Sequence, residues 1–339
     1  MLIEPAMLVR ASIGVLPVLC FLAALLFLDS YKLVRLRRVV AVIAMGCVAA
    51  VACYFANRIA IDRLGLDFDD YSRYGAPLLE EAVKGAVILI LIRTHRIGFL
   101  VDASVFGFAV GAGFAMIENL YYLDTLADAH IAVWIVRGFG TAFLHGGLQA
   151  IFAAMVLANT DRRGAMDFRA VVPPLAVVVL LHSAFNHFVL PPIWQTLLVM
   201  LSLPPLMLWV FARSERAVEG WVGVGFDADR ELLELLDSGT FSISPAGQYL
   251  DALRERFSGV VVADLLCYLR LHVELALRAK GVLMMRENGI EVVADIQTRE
   301  KFEEMRYLER SVGPTALRTL QPLLHMSRRD LWQLYMLGK

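Results

Sequence analysis

Two stretches of the chain, Ala11–Leu28 and Val39–Ala56, run without a single charged residue. Crossing a bilayer takes about 20 mostly apolar residues at about 1.5 Å of helix each, and these runs have the required length. Ala170–Leu190 and Ile193–Ala212 are equally free of charge when histidine is neutral. Three more segments are long enough but carry ionisable groups: Ala76–Ile92 with Glu80, Glu81 and Lys84, Ile97–Leu123 with Asp102 and Glu118, and Ile131–Ala158 with Arg137 and His145. The bulk composition agrees. The chain is 58% hydrophobic and 19% charged, where soluble domains run about 45–50% and about 25%. The expected fold is an all-α polytopic membrane protein of about seven transmembrane helices plus a C-terminal soluble helical region. The transmembrane domain is placed at residues 1–212 and the mainly helical remainder at residues 213–339.

Lysine and arginine bias in short loops sets the orientation. Lys32, Arg35, Arg37 and Arg38 crowd the first loop, while Asn57–Gly75 holds Asp62, Asp67, Asp69 and Asp70. Arg93 and Arg96, then Arg162, Arg163 and Arg169, then Arg213 and Arg216 follow alternate spans, with Asp124 and Asp128 on the opposite side. The pattern predicts an N-terminus outside, a cytoplasmic C-terminal region and residence in the cell (inner) membrane. The first span is expected to be retained, because its basic cluster follows the apolar run. In the C-terminal region, Glu231–Asp237, Ala246–Phe257, Val261–Lys280 and Arg299–Arg310 show the three- and four-residue apolar spacing of amphipathic helices. The net charge of −1 and the lack of a large basic cluster exclude nucleic acid as a partner. Four cysteines without CxxC spacing indicate neither a disulfide framework nor a thiolate metal site.

Ionisable groups inside a span are costly and demand an account. Arg137 reads as a side chain snorkelling to the interface, and Asp102 as interfacial. Four sets resist such readings. In Glu80-Glu81-x-x-Lys84, the favourable i,i+4 order pairs Glu80 with Lys84 and leaves Glu81 as a second carboxylate. Phe114-x-x-x-Glu118 follows on the next span. His145 sits in a glycine-rich stretch that permits close helix approach. His182 and Asn186 stand one turn apart on one helical face. Counted along their spans, these groups fall in the outer half of the bilayer or near its middle. Such a set can activate water through a glutamate base with His and Asn donors on the oxyanion. It can equally bind Zn²⁺ through His145, His182 and Glu118 with Glu81 as base, although no HExxH is present. A buried Glu/His chain can also carry protons in a transporter, or serve a non-catalytic scaffold.

In their order and span placement these four motifs, over residues 76–190, resemble the PrsW family of intramembrane proteases and the wider Rce1-type CAAX-protease superfamily. The resemblance implies hydrolysis of a peptide bond in a membrane-anchored protein, such as an anti-sigma-type regulator. It implies that Glu80 and Glu81 are the paired glutamates, one of them the base, and that Glu118 helps hold the water where Rce1-type enzymes have His. It further implies that His182 and Asn186 stabilise the oxyanion, with His145 between them. Asn186 stands where PrsW relatives often have Asp, and a neutral amide can donate to an oxyanion. Glu81 is the expected base and Lys84 a supporting residue. No metal is assigned, zinc being the alternative cofactor. The expected partners are the lipid bilayer and the membrane-anchored substrate, with the oligomeric state open.

Overall fold

A computed structural model describes residues 5–126, 129–290, 296–320 and 322–324; Asp128, counted above among the outer-loop acids, lies outside them. Among the described residues every regular element is helical. They fall into two compact units, Met1–Glu215 and Arg216–Lys339.

The first unit begins with α1 (Pro5–Leu28) and α2 (Leu36–Leu64), the latter closed by Gly65 at φ 61 with its N–H on the Ile61 carbonyl. The stretch expected as a loop after residue 56 is largely helical. There α2 continues beyond Asn57, and Asp67 then accepts from Asp69 N and Asp70 N to start the short α3 (Phe68–Asp70). A π-helical turn, Tyr71–Gly75, leads into α4 (Ala76–Arg93), with a proline in its first turn. Helix α5 (Leu100–Thr125) follows. Asp102, expected at an interface, is 1% exposed and accepts from Gly98 N and Phe99 N, both at 2.7 Å, satisfying amides at the helix start. Next come α6 (Ile131–Ile135), a second π turn (Val136–Thr141), α7 (Ala142–Arg163), α8 (Phe168–Asn186) and α9 (Pro192–Asp237).

Among the described residues six helices are long and apolar enough to cross a membrane: α1, α2, α5, the run Ile131–Arg163, α8 and α9. The seventh expected span, α4, is an 18-residue helix whose Glu80, Glu81, Lys84 and Arg93 keep it outside that set. It nevertheless packs against α2, α5, α7 and α8, with Glu81 and Lys84 buried. The charges of Glu81 and Lys84 are therefore shielded by protein. Helix α5 is the central element, buried continuously from Val101 to Ala115 against α1, α2 and α7. Its small residues make this possible. A Cβ added at Gly111 would stand 2.1 Å from the His145 carbonyl oxygen, so the two backbones nearly touch.

Helix α9 does not stop near Ala212, where the apolar run ends, but continues to Asp237. The residues that follow include no proline to end it, and its residues from Arg216 onward belong to the second unit. That unit adds α10 (Pro245–Ala252), α11 (Gly259–Glu287) and α12 (Ile296–Leu317). Ser244 and Ser258 cap α10 and α11. Leu265, Leu269, Phe302, Met305 and Leu308 fill the core between α11 and α12.

Candidate active site

Glu80 and Glu81 are neighbours on α4, and about 100° of helical rotation sends them to different partners. Glu81 faces inward, with no exposure at all. Its Oε1 accepts from Lys84 Nζ at 2.5 Å and from His182 Nδ1 at 2.8 Å, and its Oε2 accepts from Gln149 Nε2 at 2.7 Å. This reverses the expected pairing of Glu80 with Lys84. Lys84 is itself fully buried, so its ammonium must meet the carboxylate on the inward face; at i,i+3 that is Glu81. Glu81 therefore has no free oxygen with which to act as the unpaired base. Glu80 is the less encumbered carboxylate. Its Oε1 accepts from Asn57 Nδ2 at 3.2 Å, and Asn57 Oδ1 accepts from the Tyr71 hydroxyl at 2.8 Å.

Glu118 on α5 faces two groups, His145 Nε2 at 3.0 Å from its Oε2 and Arg137 Nη2 at 3.4 Å from its Oε1. Arg137 does not snorkel. It donates from Nε to Asn119 Oδ1 at 2.8 Å and lies 3.7 Å over the Tyr122 ring. His145 Nδ1 is 3.0 Å from Lys84 Nζ, and its ring meets that of His182 edge-on at 5.0 Å. Both tautomers follow from the partners. An ammonium cannot accept, so His145 Nδ1 carries the lone pair and Nε2–H points to Glu118. Glu81 as a carboxylate only accepts, so His182 donates from Nδ1, and in the neutral ring its lone pair is on Nε2.

One ligand atom each from Glu80, His145 and His182 lies within 4.8 Å of the others. This set replaces Glu118 by Glu80 in the expected zinc trio, because Glu118 is engaged by Arg137 and by the far nitrogen of His145. Two imidazoles and a carboxylate, each imidazole bonded on its other side by a second carboxylate, fit a metal ion in donor chemistry once Lys84 Nζ, 3.0 Å from His145 Nδ1, turns away from that nitrogen.

Asn186 does not share this cluster's bonds. Its Nδ2 donates to the Ser72 carbonyl at 2.9 Å, and Ser183 Oγ donates to the Arg73 carbonyl at 2.6 Å. The C-terminal end of α8 thus grips the π turn that launches α4, one turn beyond His182. The sequence reading missed Gln149, Asn57 and Tyr71. Gln149 had a signal, since it stands one turn after His145 on the same helical face. Asn57 was hidden by ending the second span at Ala56.

No curated protein and no solved structure matches the chain. The model of the family described as PrsW family intramembrane metalloprotease matches residues 35–211, more than half of the chain, and that segment holds Glu80, Glu81, Lys84, Glu118, His145, Gln149, His182 and Asn186. The chain belongs to the PrsW family of intramembrane metalloproteases.

Proposed function

We propose that the chain hydrolyses a peptide bond of a membrane-anchored protein, an anti-sigma-type regulator being the kind of substrate that fits, at Glu80, His145 and His182. The observation that carries this reading is the convergence of one carboxylate and two oriented imidazoles within 4.8 Å, inside a helical bundle. Glu80, His145 and His182 are the residues that would hold a zinc ion. When bound, zinc supplies a water acidified toward neutral pH and a Lewis acid for the scissile carbonyl. The protein's own part is orientation. Glu81 fixes His182 through Nδ1, and Glu118 fixes His145 through Nε2. Lys84 neutralises Glu81, and Gln149 occupies the carboxylate oxygen that Lys84 and His182 leave.

A second reading draws on one observation: the Lys84 ammonium, 3.0 Å from His145 Nδ1, is already a cation at that nitrogen. There Glu80 acts without metal as general base on water, and the proton it takes passes to the leaving amine. The loop charges favour a site in the outer half of the cell membrane, with the C-terminal region in the cytoplasm.

The test is a reconstituted full-length protein with a panel of single-span membrane proteins, fragments being read by mass spectrometry. Glu80→Gln at equal membrane abundance should lower the rate about 10²–10⁴-fold, the usual worth of a positioned acid–base group. Undiminished cleavage by Glu80→Gln sinks the assignment. A chelator that abolishes cleavage, restored by added zinc, selects the metal reading; insensitivity to chelator selects the glutamate base.

A further inference from the structure

We propose that Arg137 is a positioning residue for His145, acting through Glu118, and that helix α1 anchors it. The structure links these groups in series. The Gly14 carbonyl on α1 accepts from Asn119 Nδ2 at 2.7 Å, and Asn119 Oδ1 accepts from Arg137 Nε at 2.8 Å. Arg137 Nη2 faces Glu118 Oε1 at 3.4 Å, and Glu118 Oε2 faces His145 Nε2 at 3.0 Å. The guanidinium is held on a third side by the Tyr122 ring. Asn119 is 2% exposed and His145 1%, so both ends of the series are buried, while the Glu118 side chain between them keeps 27% of its exposure.

Backbone geometry makes the anchor specific. Arg137 projects from the π turn Val136–Thr141, and α1 abuts that turn so closely that a Cβ on Gly138 would stand 2.0 Å from the Ile13 carbonyl oxygen. Helix α1 ends before residue 35, where the family match begins. The segment that lies outside the match is thus bonded to the site inside it.

The chemistry at the far end is the direction of the His145 ring and the strength of its Nε2–H bond. Arg137 faces one oxygen of Glu118, which leaves the other directed at His145 Nε2–H. Lys84 keeps the lone pair of His145 on Nδ1. Removing the guanidinium frees Glu118 to rotate, and His145 loses the acceptor that fixes its ring direction. Orienting partners of this kind are typically worth 10–100-fold in activity.

The activity arm of the test rests on the proteolytic reading; the spectroscopic arm does not. Full-length protein labelled with ¹⁵N-histidine is reconstituted, and the His145 resonances are identified by their loss in His145→Gln. Wild type should show the Nε2–H tautomer at His145 with a downfield, strongly hydrogen-bonded Nε2–H proton. Arg137→Gln should move that proton upfield as the bond to Glu118 weakens and lower kcat about 10–100-fold with KM unchanged, while Arg137→Lys, which keeps the charge, should recover part of both. Asn119→Ala, which frees the guanidinium from α1, should fall between wild type and Arg137→Gln. If Arg137→Gln does not fold, Arg137→Lys and Asn119→Ala carry the test alone, and unchanged His145 resonances in both overturn the proposal. Lost activity with an unchanged His145 Nε2–H resonance also overturns it. Absence of cleavage in wild type refutes the proteolytic reading, and the resonance comparison still decides the role of Arg137.

Discussion

Replacing Gly111 by alanine tests whether close approach of α5 and α7 sets the reacting geometry. The added Cβ would stand 2.1 Å from the His145 carbonyl oxygen, 2.4 Å from its carbon and 2.6 Å from Gly146 N. All three are backbone atoms, so no side chain can swing away. Carbon contacts relax near 3.5 Å, which requires the helices to part by about 1 Å. Overpacking of this kind costs about 1–3 kcal/mol, and the part of α7 that moves carries both His145 and Gln149. A displacement of about 1 Å in a catalytic group lowers rate by about 10²-fold. Gly220→Ala on α9 is the control, because a Cβ there meets nothing within 4 Å. The assay is fragment formation at matched membrane abundance, with thermal unfolding in detergent for each variant. Gly111→Ala should unfold earlier and cleave about 100-fold more slowly, whereas Gly220→Ala should match or slightly exceed wild type in stability. Wild-type cleavage by Gly111→Ala would refute the argument that this helix contact fixes the site.

Lys84→Met should destabilise the protein by about 3–5 kcal/mol, since it strands the Glu81 carboxylate in a site with no exposure. Lys84→Met with Glu81→Gln should recover much of the unfolding temperature but no activity, and a double variant no more stable than the single would show that the pair is not what Lys84 supports. In the second unit, burial raises the Glu274 carboxyl, but hydrogen bonds from Lys301 and Arg270 outweigh it and hold the group below its ordinary value. A lowered folded-state value gives stability that is complete above the unfolded carboxyl pKa, about 4.3, and is lost as pH falls through the folded value. Unfolding of the full chain followed between neutral and acid pH should therefore show a smaller acid loss in Glu274→Gln than in wild type.

The sequence disclosed most where a single physical rule dominated. Uncharged runs of membrane length located α1, α2, α8 and the start of α9, because hydrocarbon excludes charge regardless of tertiary context. Charged residues in Ala76–Ile92 marked the helix that must be shielded by its neighbours. Individual partners were less legible. On a helix Lys84 is within reach of both Glu80 and Glu81, and only the packing of α7 and α8 against one face of α4 decides between them. Arg137 near a span end has the same local sequence whether it snorkels or turns inward; the π turn and α1 decide that. Gln149 and Asn57 are neutral, so a search for charge in apolar runs passes over them although both hydrogen-bond a site carboxylate.

The charge balance of the cluster singles out one oxygen pair. Glu80, Glu81 and Glu118 bring three carboxylates together with two fixed cations, Lys84 and Arg137, beside the imidazoles of His145 and His182. Lys84 is spent on Glu81 and Arg137 on Glu118. Glu80, with the Asn57 amide as its hydrogen-bond donor, is the carboxylate that has no ion-pair partner among the described residues. Such a group in a membrane-embedded bundle is stabilised by acquiring positive charge, from a proton taken off water or from a divalent ion shared with the two imidazoles. Both chemical readings of the site thus run through the same carboxylate. Neutralising Glu80 should therefore remove activity under either reading, and only chelation divides them.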